Sequence, residues 1–121
     1  MKKIMLIIGL LLLSPLSYAE DTLVDSYTAK LSSEDHFNSD GQRLKNVADI
    51  IRQDRANYYK FNVRDNEDNA DSFFADKDNR ERIPAMLKRG HIDKETQKSI
   101  LNGSPVVSVN IYRNYIDVYL Q

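Results

Sequence analysis

Residues 106–120 read VVSVNIYRNYIDVYL, and this stretch decides the fold class. Val107, Val109 and Ile111 alternate with Ser108, Asn110 and Tyr112; after Arg113-Asn114, Ile116, Val118 and Leu120 alternate with Asp117 and Tyr119. Side chains along a strand point to opposite faces in turn, so a period of two marks strands with one buried face. A two-residue turn at Arg113-Asn114 sets the pairs Tyr112/Tyr115, Ile111/Ile116, Asn110/Asp117, Val109/Val118, Ser108/Tyr119 and Val107/Leu120. All the aliphatic pairs then share one face, whereas a slip of one residue sets apolar against polar side chains. This agreement supports the hairpin more strongly than the turn does, since Arg-Asn lacks the glycine usual in such loops.

The other hairpin face carries Val106, Ser108, Asn110, Tyr112, Tyr115, Asp117 and Tyr119. Tyr112, Tyr115 and Tyr119 make it a candidate interaction face, because tyrosine joins a large contact area to a hydroxyl at modest entropic cost. The plainer reading is a half-exposed sheet face. Two strands alone are marginal. The hairpin therefore packs on helices, recruits residues 59–63 or an N-terminal strand, or pairs with another chain through an open strand edge.

The strongest helix pattern spans 42–58. At 100° per residue, Leu44, Val47, Ala48, Ile51 and Tyr58 share a broad face with Ile50 at its margin. Asp54 and Arg55 interrupt that face with opposite charges. Adjacent helical residues point about 100° apart, which disfavours a direct salt bridge and sends each toward a tertiary partner. Asp54 facing Arg64 or His36, and Arg55 facing a carboxylate within 65–71, would compensate both charges. The candidate polar network is thus His36, Asp54, Arg55, Arg64 and Asp65, read first as a structural lock between the helix and the following loop. A solvent-exposed helix edge and a ligand or catalytic site are the alternatives.

Other segments are less decided. Leu23, Val24, Tyr27 and Leu31 fit a helix face, while Leu23, Tyr27, Ala29 and Leu31 fit one side of a strand. Residues 32–41 are rich in Ser, Asn and Asp and predict irregular backbone or a short helical turn ending at Gly41. Tyr59, Phe61 and Val63 alternate with polar residues and permit a short strand. In 65–71, Asp65, Glu67, Asn69 and Asp71 recur at every second position, but a calcium loop opening at Asp65 needs glycine and glutamate where Ala70 and Asp76 stand. A helix cap or a solvated acidic loop is expected instead. Phe73 and Phe74 are placed on a short helix over 71–77. A second is expected over 80–88, starting at Arg80 or near Ile83, capped by Asn79 or Asp78 with Pro84 in its tolerated first turn, and a third follows the Asp93 cap and ends at Asn102-Gly103. Several short helices with a C-terminal antiparallel hairpin in a small sheet make an α+β fold.

The N-terminus bears on compartment. Lys2 and Lys3, an apolar run from Ile4 to Leu13, and Ser17-Tyr18-Ala19 before Glu20 match a cleaved secretory signal over 1–19. The run of about ten residues is short of the roughly 20 needed to span hydrocarbon. A single domain over 20–121, without stable membrane insertion, is expected in the periplasm, with the extracellular medium as the alternative. The chain has no Cys, which excludes disulfides and a lipid-modified cysteine. Loss of the leader lysines takes the formal charge from −1 to about −3, without the basic field that nucleic-acid binding requires.

The catalytic inventory is thin. His36 and His91 are the only histidines, no cysteine supports zinc, and no Gly-x-Ser-x-Gly elbow occurs. No cofactor is expected. The leading expectation is an exported protein-interaction module, an inhibitor, immunity factor or accessory protein of the bacterial envelope, partnered by an envelope or secreted protein. A small carboxylate-dependent hydrolase acting on envelope polysaccharide and a structural envelope protein are the alternatives.

Overall fold

The computed structural model describes residues 22–121, so the leader expected over 1–19 lies outside the described residues. In chain order it contains β1 (Leu23–Lys30), a 3-10 turn (Ser33–His36), α1 (Val47–Tyr59), α2 (Lys77–Arg80), α3 (Ile83–Arg89), α4 (Lys94–Asn102), β2 (Val106–Tyr112) and β3 (Ile116–Leu120). The strands form one antiparallel sheet in the order β1-β2-β3, an α+β architecture. None of the described helices is long and apolar enough to cross a membrane.

The hairpin has the register set by its periodicity, from Ile111 opposite Ile116 to Val107 opposite Leu120. Val107, Val109, Ile111, Ile116 and Val118 are buried; Leu120, at the end of β3, is 38% exposed. The ambiguous segment after residue 22 is a strand because β2 offers it a partner. Tyr27 lies opposite Val109 and Ala29 opposite Val107, both directed into the core, and Leu31 extends the ladder by donating its N–H to the Pro105 carbonyl at 2.9 Å.

Both sheet edges are occupied. The Thr28 N–H donates to Asn69 Oδ1 at 3.2 Å, the Lys30 N–H to Asp68 Oδ1 at 2.9 Å, and the Asn69 N–H to the Thr28 carbonyl at 2.8 Å. The acidic loop expected to be solvated or to cap a helix therefore covers the outer edge of β1. On the far side, the Val118 N–H donates to the His91 carbonyl at 2.9 Å, and Asp117 Oδ1 accepts the His91 N–H at 2.8 Å. Along 28–30 and at Val118, the free edge that strand addition needs is already filled.

Helix α1 starts later than its periodicity predicts. Asn46 is the cap and accepts the Asp49 N–H at 2.9 Å, while 42–44 fold back on 36–38: Asn38 and Gln42 bond through their backbones, and Leu44 donates to the His36 carbonyl. Leu44 still packs on the core from outside the helix. Ile50 is fully buried rather than marginal, which centres the inward face on Val47, Ile50, Ile51, Asp54, Arg55 and Tyr58. The 3-10 turn stops at His36, and Gly41, at φ 79°, closes a separate turn.

Three further expectations are corrected. Residues 59–63 form no strand: Tyr59 is still helical, Asn62 takes φ 59°, and Phe61 and Val63 are exposed. With Asp68 and Asn69 on the edge of β1, no ladder is left for them. Phe73 and Phe74 sit in a turn rather than a helix, because Asp71 Oδ2 accepts both of their N–H groups. The helix expected over 80–88 takes the later of its two expected starts, as α3 from Ile83 with Pro84 in its first turn, where no N–H is missed, but neither Asn79 nor Asp78 caps it: both belong to a separate helix, α2, whose cap Asp76 accepts from them. As expected, Asp93 caps α4, accepting the Thr96 N–H at 2.7 Å.

Candidate functional site

Arg55 points from α1 into the protein and is wholly buried. Its Nε donates to Asp54 Oδ2 at 2.9 Å, and its Nη1 donates to Asp71 Oδ1 at 3.0 Å and to the Asn69 carbonyl at 2.9 Å. The guanidinium carbon stands 3.8 Å from the ring centroid of Tyr27 and 4.7 Å from that of Tyr58, so aromatic faces supply further compensation for the charge. The direct Asp54 contact overturns the expectation from helical spacing. Nε is the guanidinium nitrogen closest to the backbone, and in a dry interior the Arg55 side chain bends so that it reaches its neighbour. Arg55 Nη2 and Tyr27 Oη make no hydrogen bond among the described residues.

Asp71 is the better-held carboxylate. Besides Arg55 it accepts two turn N–H groups on Oδ2, and the Tyr59 hydroxyl lies 2.8 Å from Oδ1 and 2.6 Å from the Asp71 carbonyl. Burial pushes Tyr59 up to about 12. Two buried carboxylates share one guanidinium here. Burial holds the Asp54 carboxyl well above the usual carboxylate range, the Arg55 charge pulling it back and Asp35 and Asp68 adding to the rise.

The rest of the candidate network disperses. His36 lies between two backbone carbonyls, Nδ1 2.8 Å from Ser32 O and Nε2 2.7 Å from Ile100 O, tying the 3-10 turn to α4. Arg64 stacks over Tyr58 at 4.1 Å and donates to the Tyr58 carbonyl. Asp65 takes part in the loop turn, its N–H donating to Asp68 Oδ2 and its carbonyl accepting from Asp68. Neither His36 nor Arg64 reaches Asp54.

Asp35 and Asn57 were not legible as site residues. Asp35, 3% exposed, accepts the Ser32 N–H at 3.0 Å and Asn57 Nδ2 at 2.8 Å. Burial raises its carboxyl to about 6, the bonds from Asn57 and Ser32 opposing the rise. The one local clue is Ser32 followed three residues later by an acid, the outline of a capping box.

On the outer sheet face, the Tyr112 and Tyr115 rings stack at 4.5 Å and 15°. Tyr119 is 41% exposed and lies 6.1 Å from the His91 ring, while Ser108, Asn110 and Asp117 are half-buried between them. The three tyrosines thus lie around the same hairpin face. Among the described residues, no group of three His, Cys, Asp or Glu is placed to hold a metal ion. No protein-family model matches the chain, and no curated protein or solved structure matches it either.

Proposed function

We propose that the protein is an exported interaction module of the bacterial envelope, working in the periplasm as an inhibitor, immunity or accessory protein, with the outer sheet face as its recognition surface. The Tyr112/Tyr115 stack carries this reading. Rings already stacked lose little side-chain freedom on binding, and Tyr119 beside them adds accessible aromatic area. The acidic residues favour no reaction. Arg55, Asp54 and Asp71 are buried and bonded to one another, and each of the two grooves flanking α1 is lined by a single carboxylate, Glu81 in one and Glu34 in the other. A polysaccharide hydrolase needs two carboxylates across one groove.

Affinity capture from an envelope fraction tests the proposal. One dominant, saturable partner retained by the native chain and lost by Tyr112→Ser/Tyr119→Ser supports it. Turnover of envelope glycans by the purified protein, with no partner captured, reverses it.

A further inference from the structure

Arg80 is a buried cation that faces no acid. It is 7% exposed, and its Nη1 donates to the backbone carbonyls of Phe74 and Ala75 at 3.1 and 3.0 Å. None of the ion pairs among the described residues includes it. Buried charges are normally paired, since two neutral carbonyls do not offset the loss of water around a full charge.

Arg80 also lines a solvent-open groove of about 310 Å³ between α1 and α2. Arg52, Lys60 and Lys77 line the same groove, against a single carboxylate, Glu81. Glu81 is divided between Arg52 at 3.5 Å and Lys77 at 3.7 Å, both long contacts, and Arg52 is further engaged by Asp49 at 3.1 Å. Among the described residues, Lys60 has only the Phe61 ring, 5.2 Å from its Nζ, beside it, which leaves Arg80, Lys60 and Lys77 short of carboxylates around one concavity in a chain whose formal charge is −1.

We propose that this groove binds a compact oxyanion, the carboxylate or phosphate of a small polar ligand, with Arg80 as its fixed anchor and Lys60 and Lys77 as outer contacts. The two carbonyls hold one arm of the Arg80 guanidinium in place. The planar donor fork is therefore oriented before the ligand arrives, and anion binding supplies the missing counter-charge. Phe61, exposed at the groove wall, gives an apolar surface for the body that carries the anion. This site is separate from the tyrosine face, which lies on the side of the sheet turned away from α1.

An amide NMR titration of the purified protein, at constant ionic strength, tests the site with inorganic phosphate, acetate and neutral glucose. Saturable shifts confined to 52–53, 60–61 and 77–81 with an anion, and none with glucose, are expected; the anion that produces them distinguishes phosphate from carboxylate recognition. Lys60→Gln/Lys77→Gln removes only exposed charges, so its melting temperature should be unchanged while affinity falls roughly tenfold. Absence of saturable shifts at tens of millimolar of either anion overturns the proposal. Shifts that persist unaltered in the double variant overturn it as well.

Discussion

At the scale of single residues, the polar interior is a set of unequal bonds around Arg55. Asp71 holds Arg55, the Tyr59 hydroxyl and two turn amides, whereas Asp54 is bonded to Arg55 alone among the bonds described above. Asp71→Asn should therefore cost about 3–5 kcal/mol, the range for breaking a buried ion pair. Asp54→Asn should cost about 1 kcal/mol, because an amide oxygen can still accept from Arg55 Nε and a carboxyl with a raised pKa gives up little on neutralisation. Urea unfolding of both variants checks the order, and equal losses would refute it. Asp35 has a different signature. Its carboxyl is raised from 3.8 to about 6, so the folded state binds the proton more tightly than the unfolded one. That contribution is fully present below the unfolded value and is lost as pH rises through about 6. The difference is on the order of 3 kcal/mol, read as the change in unfolding free energy between about pH 3 and about pH 7. Asp35→Asn should flatten this interval relative to the native chain. Helical spacing pointed to Asp54 and Arg55 as a conflict, and the carboxylate expected for Arg55 within 65–71 is Asp71; it missed the direct Asp54 contact, because spacing describes where a side chain starts and not where a long one bends.

At the scale of elements, close backbone contacts set what each segment can do. Gly90 ends α3 where an added Cβ would stand 1.7 Å from the Ile116 carbonyl oxygen. No flexible side chain can yield there, since the obstacle is β3 itself. Gly90→Ala should push α3 and β3 apart and destabilise by about 3 kcal/mol or more, seen in thermal or urea unfolding. The acidic loop offers a second test. Asp68 and Asn69 cover the outer N–H groups of β1, so hydrogen exchange at Thr28 and Lys30 should be slow. In Asp68→Ala/Asn69→Ala it should accelerate at those two amides while the β2 amides stay protected, with more self-association from the uncovered edge. The hairpin and the Asp93 cap were legible because their partners lie within a few residues. The strand at 23–30 was not, because a helix face and a strand face drew on nearly the same apolar residues until β2 chose between them.

At the scale of the whole molecule, one apolar cluster joins the two ends of the described chain. Tyr27, Ala29 and Leu31 from the N-terminal side pack with Val107, Val109, Ile111, Ile116 and Val118, and with Ile50, Phe74, Ile83, Met86 and Ile100 from between. Unfolding should therefore be a single transition. The chain has seven tyrosines and no tryptophan, so near-ultraviolet tyrosine signals report tertiary packing, and they should melt together with far-ultraviolet helix and strand signals. Separate midpoints would show that the hairpin and α1 unfold independently. By itself the sequence determined the α+β class, the hairpin register, the helix pattern behind α1 and the cap of α4, because periodicity and caps are properties of neighbours a few residues apart. Only the tertiary structure decided that 23–30 is a strand, that the acidic loop seals its edge, that Arg55 joins Asp54 to Asp71, and that Arg80 is buried without an acid. Those outcomes depend on which surfaces meet across tens of residues, where desolvation and backbone pairing outweigh local preference.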